Sequence, residues 1–218
     1  MEVCDQEICL PATDEHFKQF SWYQHNVYKL AKKHVQHFRT AIDVGAHVGY
    51  FSIYMAQDFA NVIAFEPVPS NTHCWRKNLS AKTNVKLFEC ALGDTITPLC
   101  ISQPHKINSG SWEISRSGYP VEQNRLDSFG LSNVDYIKLD IQGYELNALL
   151  GALNTINQNK PIVQIEMSSK DCIQRAGSLM SKLGYAPVEQ LKDDVIWKFV
   201  DEFNKRYIIS LIGEVSNA

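Results

Sequence analysis

The stretch TAIDVGAHVGYFSIYMAQDFANVIAFE, Thr40 to Glu66, constrains the fold more than any other part of the chain. An apolar run from Ala41 to Val44 meets a turn bearing Gly45 and Gly49. An amphipathic segment then runs to about Phe59, and a second apolar run, Val62 to Phe65, ends in the carboxylate of Glu66. This order predicts a strand, a tight turn opening a helix, and a second strand, the first unit of a doubly wound α/β domain. Ligands in such sheets bind beyond the carboxyl ends of the strands, where Asp43, Gly45 and Glu66 fall. Gly45 has no Cβ, so the backbone there can bend sharply and approach a ligand, and Gly49 lets the first helical turn lie near the sheet. Glu66 comes about twenty residues after Gly45, the distance at which an acid accepts ribose hydroxyls in nucleotide folds.

The glycine spacing selects among nucleotides. A dinucleotide fingerprint needs Gly at positions that here hold Gly45, His47 and Tyr50. The pattern present is D-x-G-x-x-x-G, carried by Asp43, Gly45 and Gly49, which suits a ligand without a diphosphate. A carboxylate at Asp43 attracts a cation such as the ammonium or sulfonium of S-adenosylmethionine and repels a pyrophosphate. The competing account is an ordinary strand-to-helix turn with an Asp cap.

With 218 residues and 44% apolar content the chain can bury one substantial core. Its net charge of −3 carries no global nucleic-acid signature. The acidic start and the lack of a long apolar run predict a cytoplasmic protein with neither signal peptide nor membrane span. The six cysteines are scattered, with no C-x-x-C pair, which favours reduced thiols over a zinc site, including at Cys4 and Cys9.

Residues 1 to about 15 read as irregular, and Phe17 to Phe38 as one or two helices over the sheet edge; together, residues 1–39 form an amino-terminal segment packed on a core of 40–200. The basic run Lys29, Lys32, Lys33, His34, His37 and Arg39 is read as a solvated helix face, or else as a contact for an acidic substrate or nucleic acid. After Pro67 a helix spans Ser70 to Ser80 with Ser70 as its cap, and a third strand runs from Val85 to Ala91. Ala91 and Leu92, at that strand's end, either line an adenine pocket or are ordinary core residues. A hairpin strand, Pro98 to Ser102, precedes the polar stretch Gln103 to Gly118, read as a lid carrying Trp112 or as a long hairpin tip.

The second informative stretch is VDYIKLDIQGYELNALL, Val134 to Leu150. A buried fourth strand ends at Leu139, Asp140 closes it beside the strand carrying Asp43, and a helix starts at Tyr144. Asp140 then either binds a metal, takes a proton or orients a cofactor amine, or simply caps the next helix, with Glu145 as a first-turn acid.

Taken together, IDVGAHVGYFS, VIAFEPVPSNTHCWRKNL, VKLFECALGD, NRLDSF, YIKLDIQGYELNALLGA and PIVQIEM resemble the FkbM-type methyltransferase family in order and spacing over about residues 40 to 185. The resemblance implies a class I, Rossmann-like α/β sandwich whose seven-stranded, mostly parallel sheet has an antiparallel last strand. The remaining strands fit Pro161 to Met167, Tyr185 to Gln190 and Val195 to Val200, a helix fits Asp171 to Leu183, and residues 201–218 form a terminal helix or tail. It implies S-adenosylmethionine binding by Asp43, Gly45, Ala46, His47, Gly49 and Glu66 with the adjoining Pro67, and also by Ala91, Leu92 and Asp140. The implied activity is O-methylation of a hydroxyl on a sugar, glycan or other small molecule. Where the family has Glu between the Asp and Gly of its fourth-strand motif, this chain has Gln142, one carboxylate fewer.

Transfer of a methyl to an alcohol needs in-line positioning together with a base or a metal. Asp140 is the first choice of base, Glu166 at the end of the fifth strand the second and Glu145 the third; His47 and His105 are incidental histidines or further bases. No residue is assigned to a divalent metal. A nucleic-acid methyltransferase is the alternative, supported by the basic run alone. An NAD-dependent oxidoreductase is disfavoured by His47 and Tyr50, and a non-catalytic cofactor-binding module would keep Glu66 without turnover.

Overall fold

In the computed structural model, residues 8–12, 14 and 21–200 are described. The expectations for residues 1–7, for Phe17 and Phe20, and for a tail from Asp201 lie outside the described residues. Seven strands form one sheet: β1 (Thr40–Val44), β2 (Asn61–Phe65), β3 (Val85–Phe88), β4 (Val134–Leu139), β5 (Ile162–Glu166), β6 (Tyr185–Leu191) and β7 (Asp194–Phe199). Their spatial order is β6-β7-β5-β4-β1-β2-β3. All neighbours from β5 through β3 are parallel, and β7 runs antiparallel to both β5 and β6, as the family resemblance implies.

Both faces of the sheet are covered, which is why its central strands are buried at nearly every position and carry apolar residues toward both faces. One face presents Ala41, Val62, Tyr136 and Ile196 to α1 (Ser21–Lys32), α2 (Tyr50–Asp58) and α3 (Pro69–Asn78). The other presents Ile42, Ile137, Val163 and Ile165 to α4 (Glu145–Leu150), α5 (Leu153–Asn159) and α6 (Lys170–Lys182). On the first face one row is polar: Asp43, Lys138 and Gln164 are in register on β1, β4 and β5, and all three are buried.

Several local expectations differ from the structure. The segment after Gly49 is not amphipathic: Tyr50, Phe51, Ser52, Tyr54, Met55 and Ala56 are all buried, with α1 packed beside α2 on the same face of the sheet, Tyr28 stacked and His25 tilted against Tyr54. Helix α3 begins at Pro69 behind Val68, so Ser70 lies inside the first turn and is not the cap; proline, with no N–H to satisfy, starts the helix. The third strand stops at Phe88, and Ala91–Leu92 pairs instead with Gln123–Asn124 in a separate ladder. The stretch after Ser102 contains a strand, Glu113–Ser115, which joins Leu99–Ser102 and Tyr119–Val121 in a small antiparallel sheet, leaving residues 103–112 as the connecting loop. Half of the basic run faces carboxylates within the protein, with Lys32 on Asp58 at 2.5 Å, His34 facing Glu189 at 3.5 Å and Arg39 on Asp135. No helix among the described residues is long and apolar enough to cross a membrane.

Candidate functional site

The carboxyl ends of β1, β2, β4 and β5 open onto a cavity of about 400 Å³, a volume suited to a small-molecule ligand. Of the residues singled out in the sequence, Gly45, Ala46, His47, Glu66, Pro67, Ala91, Leu92, Asp140 and Glu166 line it. Asp43, Gly49 and Glu145 do not.

The β1–α2 turn is fastened to the end of β2. The N–H groups of Gly45 and Ala46 both donate to the carbonyl of Phe65 at 3.0 Å. His47, in the left-handed region at φ 51, donates its N–H to Glu66 Oε2 at 2.9 Å. Glu66 Oε1 accepts from the Val68 N–H at 3.0 Å and from Asn71 Nδ2 at 3.3 Å. Burial pushes the Glu66 carboxyl up to about 7, against the pull of these donors. Gly45 is required for a different reason from the one expected. At φ 78, a Cβ there would lie 2.0 Å from the carbonyl oxygen of Asp140, so the close approach is to the chain leaving β4. Gly49, at φ 98, makes room for Trp75 of α3 and for Leu79 just past its end rather than for the sheet.

Asp43 is fully buried beneath the turn. Its Oδ2 accepts from the Ser52 hydroxyl at 2.7 Å, and Ser52 in turn accepts from Trp75 Nε1 at 3.0 Å. Its nearest cation is Lys138, whose Nζ lies 3.4 Å from Asp43 Oδ1, 3.4 Å from Asp140 Oδ2 and 2.9 Å from the Gly45 carbonyl, to which it donates. Burial disfavours this ammonium, but the carboxylates of Asp140 and Asp43 outweigh burial and its pKa is raised. Lys138 is thus a permanent charge beneath the site, and sequence reasoning passed over it. The signal was present: a lysine inside an otherwise apolar strand requires a buried counter-charge.

On the opposite wall, Gln142 Nε2 donates to Asp140 Oδ1 at 3.3 Å and to Glu166 Oε2 at 3.0 Å, bridging the ends of β4 and β5. The charge of Asp140, and then burial, push the Glu166 carboxyl up to about 10. For Asp140, burial acts upward, while Lys138 and hydrogen bonds from Glu166 and Gln142 bring its pKa below the ordinary carboxylate range. At neutral pH the pair is therefore an Asp140 carboxylate beside a protonated Glu166. Glu145 is spent on the backbone, accepting the N–H groups of Ile141 at 3.1 Å and Gly143 at 3.0 Å. Among the described residues no group of three or more His, Cys, Asp or Glu is arranged to hold a metal ion.

The 103–112 loop closes the cavity through Ser109, which is buried. The Ser109 N–H donates to Asp14 Oδ2 at 3.0 Å and its hydroxyl bonds the same carboxylate. Its carbonyl accepts from Asn71 Nδ2 at 3.2 Å, and His47 Nε2 lies 2.5 Å from its Oγ. Burial lowers the His47 pKa to about 4, so the ring is neutral. Trp112 also lines the cavity, whereas His105 does not and contributes only its carbonyl within the loop. Asn71, Ser109 and Asp14 are further from one another in sequence than any local pattern reaches.

A family model described as the methyltransferase FkbM domain matches residues 43–187. Among curated proteins, the chain is 26% identical over 152 residues to Methyltransferase sdnD of Sordaria araneosa, covering 50% of this chain and 59% of that protein. It is 22% identical over 184 residues to Methyltransferase 1 of Beauveria bassiana strain ARSEF 2860, covering 70% of this chain and 74% of that one. Among solved structures, the methyltransferase FkbM of Methylobacillus flagellatus KT superposes with a TM-score of 0.57 at 17% identity, covering 74% of this chain and 43% of that one. The chain thus spans about three fifths of the first relative and less than half of the bacterial protein, whose likeness at this identity is one of fold. The family match runs from Asp43 in β1 to Pro187 in β6 and takes in most of the cavity lining, and the chain belongs to the FkbM methyltransferase domain family.

Proposed function

We propose that this protein is an S-adenosylmethionine-dependent methyltransferase acting on a hydroxyl of a sugar, glycan or other small molecule. The observation that carries the reading is Glu66, a buried carboxylate on the cavity wall held in place by the His47 and Val68 amides. Beside it, the buried Asn71 Oδ1 has no hydrogen-bond partner, and both residues line the cavity. Acceptors so placed suit the two hydroxyls of a ribose. Phe65, Ala91, Leu92 and Ile141 offer apolar surface for an adenine, and His47 puts a side chain where a dinucleotide fingerprint has glycine. When bound, the cofactor supplies an electrophilic methyl on a positively charged sulfur.

The chain's own groups would do the rest. Asp140, kept ionised by Lys138, takes the proton of the acceptor hydroxyl, and protonated Glu166 holds the pair to a single negative charge. Gln142 fixes the two carboxyls relative to each other. The roof formed by the 103–112 loop, and the internal pairing of Lys32, His34 and Arg39, favour a small acceptor over a nucleic acid.

Calorimetric titration with S-adenosylmethionine, S-adenosylhomocysteine and NAD, on the parent and on Glu66→Ala, tests the cofactor. Micromolar binding of the first two is expected, weakened in the variant by about 1–3 kcal/mol for ribose hydroxyls left unpaired. Preference for NAD, or no binding, would overturn the reading. Labelled methyl transfer to a panel of sugars, glycans, natural products and RNA then tests the acceptor, and transfer to RNA alone would replace the small-molecule class.

A further inference from the structure

Cys9 is held across α3 by two residues one helical turn apart, Cys74 and Asn78. Asn78 grips the backbone: its Oδ1 accepts the Cys9 N–H at 2.7 Å and its Nδ2 donates to the Cys9 carbonyl at 3.0 Å. The same Nδ2 donates to the Val48 carbonyl at 2.8 Å, which ties Cys9 to the β1–α2 turn. Cys74 meets the side chain, with Sγ 3.0 Å from Sγ. Ile8 and Leu10 on either side of Cys9 pack against the cluster of Val48, Tyr50 and Cys74. A little further along, Asp14 holds the cavity roof through Ser109. One short segment thus touches the cavity's floor turn at one end and its roof at the other.

We propose that Cys9 and Cys74 are a disulfide-forming pair, and that the bond locks this segment, and with it the Asp14–Ser109 contact, over the cavity. The oxidant is a small disulfide of the oxidised-glutathione class. Cys9, the more exposed of the two, attacks it as a thiolate, forming a mixed disulfide and releasing one small thiol. Cys74 gives its proton to solvent, attacks Cys9 Sγ and releases the second thiol. One small disulfide is reduced to two thiols while two cysteine thiols become one disulfide. Burial pushes the Cys74 thiol up to about 12, so it is the second to react, and its held proximity supplies the effective concentration that offsets its low thiolate fraction. That the locked cavity is a cofactor site rests on the function proposed above; the bond and the lock do not.

The full chain is equilibrated in glutathione buffers of rising oxidation, quenched by alkylation and mapped without reduction. A peptide joining Cys9 to Cys74 is expected at less oxidising ratios than any other pairing, far more abundant than in concentrated guanidinium chloride, and absent from Cys9→Ser. A persistent mixed disulfide on Cys9, or no native preference over the denatured chain, would overturn the pair. Deuterium uptake by residues 103–112 is expected to slow several-fold in the oxidised parent and to be unchanged in Cys9→Ser under the same buffers. Equal uptake in the two redox forms would overturn the lock. S-adenosylhomocysteine is titrated separately into both forms, and its failure to bind either would count against the cofactor and leave the disulfide standing.

Discussion

Lys138 balances two carboxylates, the fully buried Asp43 below it and the partly exposed Asp140 above. Lys138→Met removes the cation while filling its volume, and is expected to cost about 3–5 kcal/mol in denaturant unfolding, since breaking a buried pair strands its partner. Glu166 acts in the opposite sense on stability. Its pKa rises from 4.5 to about 10 in the fold, so the native state keeps a proton that the unfolded chain gives up, and the stability it contributes is lost as pH rises through that window. Glu166→Gln keeps the neutral shape without the titration, so its melting temperature should gain on the parent from about pH 5 to about pH 9; parallel curves would mean Glu166 is ionised at neutral pH. At this scale sequence reasoning found the residues at strand ends, Glu66, Asp140 and Glu166, because an acid that ends an apolar run is conspicuous. It gave Asp43 to the ligand where the fold gives it to Lys138 and Ser52. It had no route to Asn71 or Ser109, whose partners come together only in three dimensions.

The central strands were legible from their mostly apolar runs, and β1, β2, β4 and β5 lie where those runs stand. Elements whose environment changes along their length were not. The third strand divides at Glu89 and Cys90 because the chain leaves the main sheet there to pair with Gln123–Asn124, a partner more than thirty positions away. The stretch Gln103 to Gly118 was read as a lid or a hairpin tip, and in the fold Ser109 ties its 103–112 part to His47 and Asn71, on the Glu66 side of the cavity. Replacing 103–112 with a short Gly-Ser turn should therefore weaken S-adenosylhomocysteine binding by about 1.4 kcal/mol, tenfold in affinity, as read by calorimetry. Unchanged affinity with loss of acceptor methylation would assign the loop to the acceptor alone.

For the whole molecule, the cavity joins the two covered faces through the edge of a single sheet, so a ligand there binds only the folded form. S-adenosylhomocysteine at a hundredfold excess over its Kd should add about 2.7 kcal/mol of stability. For a domain of this size the melting temperature then rises by roughly 5–10 °C, whereas NAD should leave it unchanged; a scanning fluorimetry trace without the shift would speak against the cavity as the binding site. The polar row Asp43, Lys138 and Gln164 has a consequence for assembly as well as for the site. Strand β4 enters between β1 and β5, and its side chains alternate between the two covered faces. A slip of one residue would turn Lys138 toward the α4–α6 side, among Leu149, Ala176 and Met180, with no carboxylate in register. The ammonium thus works as a key that fits one lock: a misthreaded central strand would bury an uncompensated charge.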